Sequence, residues 1–211
     1  MSAGELFLKG GVIMYPLALC SLIGLAIILE RFWHFWRRRM TNPGAPKEAV
    51  SSLNRGDIKE ALRITEETKC PLTDVMGAGI RQYKAKAAIE EIERAMERTG
   101  SQKLQGLEVN LNILSATGNI SPLIGLLGTV MGMVRCFMQI EKLGGRVDVS
   151  LLASGIWEAL LTTVFGLMIA IPCLLFYSYF MGKVDQLEIR IRNISEDLLA
   201  IIKKEGKKDG A

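Results

Sequence analysis

The sequence predicts an all-α membrane protein with three transmembrane helices, the second and third of them extended far into the cytoplasm. Three observations carry this expectation. Of the 211 residues, 49% are hydrophobic and the mean hydropathy is positive, a composition that fits a membrane protein with a soluble portion. Three stretches, 10–29, 109–134 and 151–181, are apolar over the roughly 20 residues needed to cross a hydrocarbon core. Finally, the three-and-four spacing of apolar residues that marks a helix face continues past the second and third stretches.

Charge orients the spans. Of 26 Lys and Arg, only Lys9, Arg135, Lys142 and Arg146 lie in the N-terminus, at the outer end of the second stretch or in the loop after it. The others fall in 31–103 and 183–208, with Arg31, Arg37, Arg38 and Arg39 directly after the first stretch and Lys183 after the third. By the positive-inside rule the N-terminus is outside and the C-terminus inside. The expected division is a periplasmic N-terminus over 1–9, transmembrane helices over 10–36, 109–137 and 151–182, a cytoplasmic helical loop over 37–108, a periplasmic loop over 138–150 and a cytoplasmic C-terminal helix over 183–211. The first stretch is expected to persist as a span, because its basic cluster follows the apolar run, whereas a cleaved signal peptide has it in front. The net charge of +4 is met by topology and acidic lipid headgroups, so membrane lipid and no nucleic acid is the expected partner.

Taken in order, Phe32-Trp33-His34-Phe35-Trp36 resembles an aromatic interface anchor. Asn42-Pro43-Gly44-Ala45-Pro46 breaks the chain after it. Asp57-Ile58-Lys59-Glu60 is a capping-box pattern opening a helix that Cys70-Pro71 should end, and a further helix is expected up to Met76-Gly77-Ala78-Gly79. Next comes a long stripe: Ile89, Ile92, Met96, Gly100, Leu104, Leu107, Leu111 and Leu114, continued into the bilayer as Gly118, Ser121, Gly125, Gly128 and Gly132. It predicts a single helix roughly 65 Å long at 1.5 Å per residue. The last span repeats the design in reverse. Gly155, Ala159, Thr162, Gly166, Ala170 and Cys173 form a small-residue face, and Val184, Leu187, Ile191, Ile194, Leu198 and Ile201 carry it on outside the membrane, with Lys203, Lys204, Lys207 and Lys208 at the helix C-terminus. Small residues let membrane helices approach closely. Two seams of this length predict an oligomer, because amphipathic helices leaving the bilayer must bury their apolar faces. A monomeric three-helix bundle is the competing arrangement. Pro16, Pro122 and Pro172 should kink their spans and free the carbonyls of Val12, Gly118 and Met168, which then need protein or water partners.

Catalytic and metal chemistry find little support. No GxSxG, HExxH or Walker A pattern is present. Cys20, Cys70, Cys136 and Cys173 lack CxxC or Cys/His spacing, and His34 is the only histidine. No enzyme activity, cofactor or metal is therefore expected. What stands out is Glu158, with no other charge from 159 to 182. A carboxylate inside a span costs a few kcal/mol even on lenient scales, which makes it a functional-site hypothesis. Around it lie Thr162, Thr163, Thr129, Ser121 and Asn119. Thr162 shares the helix face of Glu158, and Thr163 lies about 140° round at 100° per residue. A carboxyl can exchange a proton as its surroundings change, and threonine hydroxyls can both donate and accept. The competing roles are a structural bond from Glu158 to a neighbouring span and threonines bonded to their own preceding turn. Arg135 is expected to snorkel to the outer interface, with pairing to Glu158 or Glu141 as its other option.

These residues carry a resemblance. Gly125-Leu126-Leu127-Gly128-Thr129-Val130-Met131-Gly132-Met133 resembles the second-span signature of the MotA/TolQ/ExbB proton-channel family. Glu158-Ala159-Leu160-Leu161-Thr162-Thr163, then Gly166-Leu167 and Ala170-Ile171-Pro172, resembles its third span, and Leu107-Glu108-Val109-Asn110-Leu111-Asn112 leading to Pro122 fits as well. Three spans and a large cytoplasmic loop match the ExbB/TolQ branch. The resemblance implies a homopentamer around a central pore that holds two copies of an ExbD/TolR-like single-span partner. A partner aspartate would exchange protons, and proton motive force would drive mechanical work on an envelope client through a TonB-like or TolA-like transducer. It further implies that Thr129 and Thr163 are pore threonines and that Glu158 is the third-span glutamate. It favours Thr163 where the helical face favoured Thr162.

Overall fold

The computed structural model describes residues 11–38, 44–68, 70–142 and 149–208, with side chains except at 34–38, 149–151 and 205–208. Lys9, Arg39, Asn42 and Pro43 of the 42–46 break, Arg146, and the side chains of His34, Phe35, Trp36, Arg37, Arg38, Lys207 and Lys208 lie outside the described residues. Every regular element described is helical: α1 (Met14–Arg38), α2 (Ala45–Asn54), α3 (Ile58–Glu67), α4 (Pro71–Lys84), α5 (Ile89–Lys142) and α6 (Val149–Lys208). Of these, α1, α5 and α6 are long and apolar enough to cross a membrane. The single long helix expected from the 89–132 stripe is present, at 54 residues, and α6 has 60.

The chain divides into two compact units, Met1–Arg31 with Asn110–Phe180, and Phe32–Val109 with Met181–Ala211. In the second unit, four helix segments and the C-terminal part of α6 enclose one apolar core. Ala49, Leu53, Ala61, Val75, Met76, Ile80, Ile92, Met96 and Leu198 are each at most 1% exposed there. The turns that build it are readable in atomic terms. At the end of α2 the Gly56 N–H donates to the Leu53 carbonyl and the Asp57 N–H to the Ser52 carbonyl, with Gly56 at φ +80. This is the left-handed stop that glycine permits. Asp57 then caps α3, its Oδ1 accepting from the Glu60 N–H at 3.0 Å. Only half of the predicted capping box forms, because the Glu60 carboxylate turns to Arg63 (2.6 and 2.8 Å).

One boundary differs from expectation. Cys70-Pro71 opens α4 and does not terminate α3, which ends at Glu67. Cys70 is the cap, paired reciprocally with Thr73, and Pro71 occupies the first helical position, where its missing N–H costs nothing. Pro16 is a second correction. It falls in the first turn of α1, and the Val12 carbonyl it was expected to free accepts from the Tyr15 N–H at 3.3 Å.

Within the first unit, α5 and α6 run antiparallel in close contact. A methyl built at Gly118 would meet Cys173 and Leu174, one at Gly125 would meet Thr162, Thr163 and Gly166, one at Gly132 would meet Ala159, and one at Gly155 would meet Cys136. Each step along α5 is matched by an equal step back along α6. The small-residue parts of the two predicted seams therefore pack on each other within one chain. Aliphatic surface remains on the outer faces, with Leu123, Leu126, Val130, Leu160, Val164 and Met168 all at least half exposed.

Candidate functional site: the seam of the second and third spans

The seam is closest where glycines face glycine and threonine. A methyl at Gly125 would lie 2.9 Å from the Thr162 carbonyl oxygen and 3.0 Å from the Thr163 Cα, and one at Gly166 would lie 2.7 Å from the Ser121 carbonyl oxygen. These are backbone atoms, so no rotamer change makes room. At Gly128 the obstacle is the Thr162 side chain. This backbone-to-backbone approach is what small residues provide in a bilayer, where packing and interhelical bonds replace the hydrophobic drive.

The approach lets threonine hydroxyls reach across. Thr162 Oγ1 lies 2.7 Å from the Ala159 carbonyl and 3.1 Å from the Gly125 carbonyl, and Thr163 Oγ1 donates to the same Gly125 oxygen at 3.2 Å. Thr162 is 1% exposed, while Thr163 is half-buried. Thr129, also half-buried, donates back to its own helix at the Leu126 carbonyl, 2.7 Å away. Ser121 does the same towards Thr117 (2.7 Å), and Asn119 towards Ser115. Of the sequence-predicted polar set, the fold thus brings Thr162 and Thr163 together on Gly125, and leaves Thr129, Ser121 and Asn119 bonded locally. Pro122 and Pro172 lie inside α5 and α6, which run on through them.

Glu158 sits further along the seam, towards the N-terminal end of α6. Its Oε1 meets Arg135 Nη1 at 3.2 Å, from α6 to α5. Of the two roles expected for Arg135, the structure shows the pairing with Glu158. Two partners went unrecognised in the sequence. Gly11 packs its backbone against the Glu158 carboxylate, and Asn110 donates to Glu30 at 2.6 Å, tying α5 to α1 at the other end. The register of the two small-residue stripes is the signal that would have aligned 135 with 158. Among the described residues, no group of three or more His, Cys, Asp or Glu is placed to hold a metal.

The family model described as the MotA/TolQ/ExbB proton channel family matches residues 67–193. The chain is 32% identical to a biopolymer transport protein ExbB homolog of Methanothermobacter thermautotrophicus, over 86% of this chain and 63% of that relative's length. It is 30% identical to the Tol-Pal system protein TolQ of Pseudomonas aeruginosa, over 82% of this chain and 71% of the relative. Among solved structures, C. jejuni MotAB matches with a TM-score of 0.59 at 18% identity, covering 93% of this chain and 78% of that one, which speaks to the fold alone. A match across the seam and about half of the second unit, joined to curated relatives at this identity, places the chain: it belongs to the MotA/TolQ/ExbB proton channel family.

Proposed function

We propose that this chain is the proton-channel and motor subunit of an ExbB/TolQ-type complex of the inner membrane, converting proton motive force into mechanical work for biopolymer transport or envelope integrity. The observation that carries the reading is the polar seam Gly125–Thr162–Thr163 with Glu158 near its outer end, set in apolar spans inside the region the family model matches. Five copies enclose a pore, with Thr129 and Thr163 towards it. The pore holds two copies of an ExbD/TolR-like single-span protein whose aspartate carries the proton, and a TonB-like or TolA-like transducer receives the force. The N-terminus is periplasmic and the C-terminus cytoplasmic. One charge crossing 100 mV releases about 2.3 kcal/mol, enough to bias a two-state packing.

A second reading is favoured by one contact. The Arg135–Glu158 pair is what a structural scaffold would use Glu158 for, as an interhelical packing residue. Glu158→Gln and Thr129→Ala, each co-expressed with the single-span partner and scored for energised function of the cognate system, separate the two. The channel reading expects both variants to assemble and both to lose function. Full function in both would sink it.

A further inference from the structure

We infer that Arg135 and Glu158 act as a single cross-span ion pair that holds the outer ends of α5 and α6 in register, with Gly11 as its cradle. Glu158 is then a positioning residue and not an ion carrier. This rests on the channel reading above and refines one residue of it.

Three observations converge. First, the pair stands where the charge-free parts of both spans end. No charge occurs from 109 to 134 or from 159 to 182, while Glu141 and Lys142 follow on α5 beyond Arg135. Glu158 Oε1 and Arg135 Nη1 stand 3.2 Å apart, with the side chains 32% and 46% exposed. Second, the pairing is set by the seam. Gly132 on Ala159 and Cys136 on Gly155 fix the register on either side of it, so a sliding of one helix against the other by a turn would break the pair. Third, the start of α1 is shaped around it. Gly11 has φ +68, and a methyl there would occupy the place of Glu158 Oε1 while lying 3.3 Å from Arg135 Nη1. The left-handed backbone at this position favours glycine, and a side chain there would have to displace the Glu158 carboxylate. The pair therefore touches α5, α6 and the segment that leads into α1. The Arg135 guanidinium engages Glu158 Oε1, and neutralising that carboxylate by protonation would break the pair.

The test uses the full chain, co-purified with its single-span partner and reconstituted in liposomes of bacterial phospholipid. Dye-reported proton flux under an imposed potential is normalised to the amount of assembled complex. Arg135→Gln is expected to assemble yet lose about fivefold or more of its flux, the lower end of an ordinary coupling. Gly11→Ala should fall with it, and Arg135→Lys should keep most of the flux. The decisive arm is the exchanged pair, Arg135→Glu with Glu158→Arg. Recovery well above either single variant supports a strut, because the reversed charges restore the attraction between α5 and α6. An exchanged pair no better than the singles overturns the inference, as does wild-type flux in Arg135→Gln. Should Arg135→Gln fail to assemble, Arg135→Lys and the exchanged pair decide alone. Wild-type flux no higher than protein-free liposomes counts against the channel reading. The pair is then judged by a double-mutant cycle on thermal unfolding, where additivity overturns it and non-additivity supports it.

Discussion

A hydroxyl proton can serve one acceptor at a time, and Thr162 has two within reach, the carbonyls of Ala159 and Gly125. Thr163 resolves the competition by donating to Gly125 itself, so adjacent threonines divide the work of holding α6 to α5. This division was not legible in the sequence, where Thr162 and Thr163 differ only in helical angle. The Asp57 cap was legible, because a cap is local. Its companion bond was not, because Glu60 had a better partner one turn on. Arg63, hydrogen-bonded to Glu60, holds that carboxyl below its ordinary value of 4.5, while the same bonds raise the guanidinium. A depressed carboxyl stabilises the fold above 4.5 and loses that contribution as pH falls through its lowered value. Carboxyl NMR is expected to show Glu60 titrating below 4.5 and Arg63→Ala returning it there. An unchanged titration in Arg63→Ala would remove the pair as the cause.

Among elements, the long helices were the clearest in the sequence and their mates the least. Ile92, Met96, Leu107, Leu111 and Leu114 are all buried, as a three-four stripe requires. Periodicity names the inward face but not what lies opposite, and here the small-residue stripes of α5 and α6 face each other. Gly125→Ala should therefore cost about 1–3 kcal/mol as an overpacking that the opposing backbone cannot relieve. Gly106→Ala, with open space at its Cβ position, should be neutral or stabilise by up to about 1 kcal/mol through helix propensity. Thermal unfolding in detergent compares them directly, and equal effects would mean the α5–α6 contact is looser than the geometry here. The Cys70-Pro71 junction is the corresponding lesson for short elements. Proline stops a helix only from inside it, and just after a capping residue it starts one.

At the scale of the molecule, each unit is built from two distant pieces of chain, because α5 and α6 each contribute to both. The second unit is completed by Ile191, Leu198 and Ile202, which arrive more than a hundred residues after its first helices and enter the same core. Removing residues 187–211 deletes that wall. The helices between 45 and 84 are then expected to become protease-sensitive in membranes, with cleavage at least an order of magnitude faster as the opened state gains population. Retained resistance would mean α2–α4 close their own core.

The sequence by itself determined the helical class, three apolar spans, the faces of the two long helices and the family, because each is written in local composition, periodicity or contiguous motif. Only the tertiary structure decided the antiparallel register of α5 on α6. That register sets Thr162 and Thr163 on Gly125 and brings Arg135 and Gly11 to Glu158. The physical reason is that register is a relation between surfaces far apart along the chain. It is fixed by where backbones can approach without a Cβ in the way, a condition visible only once both helices are in place.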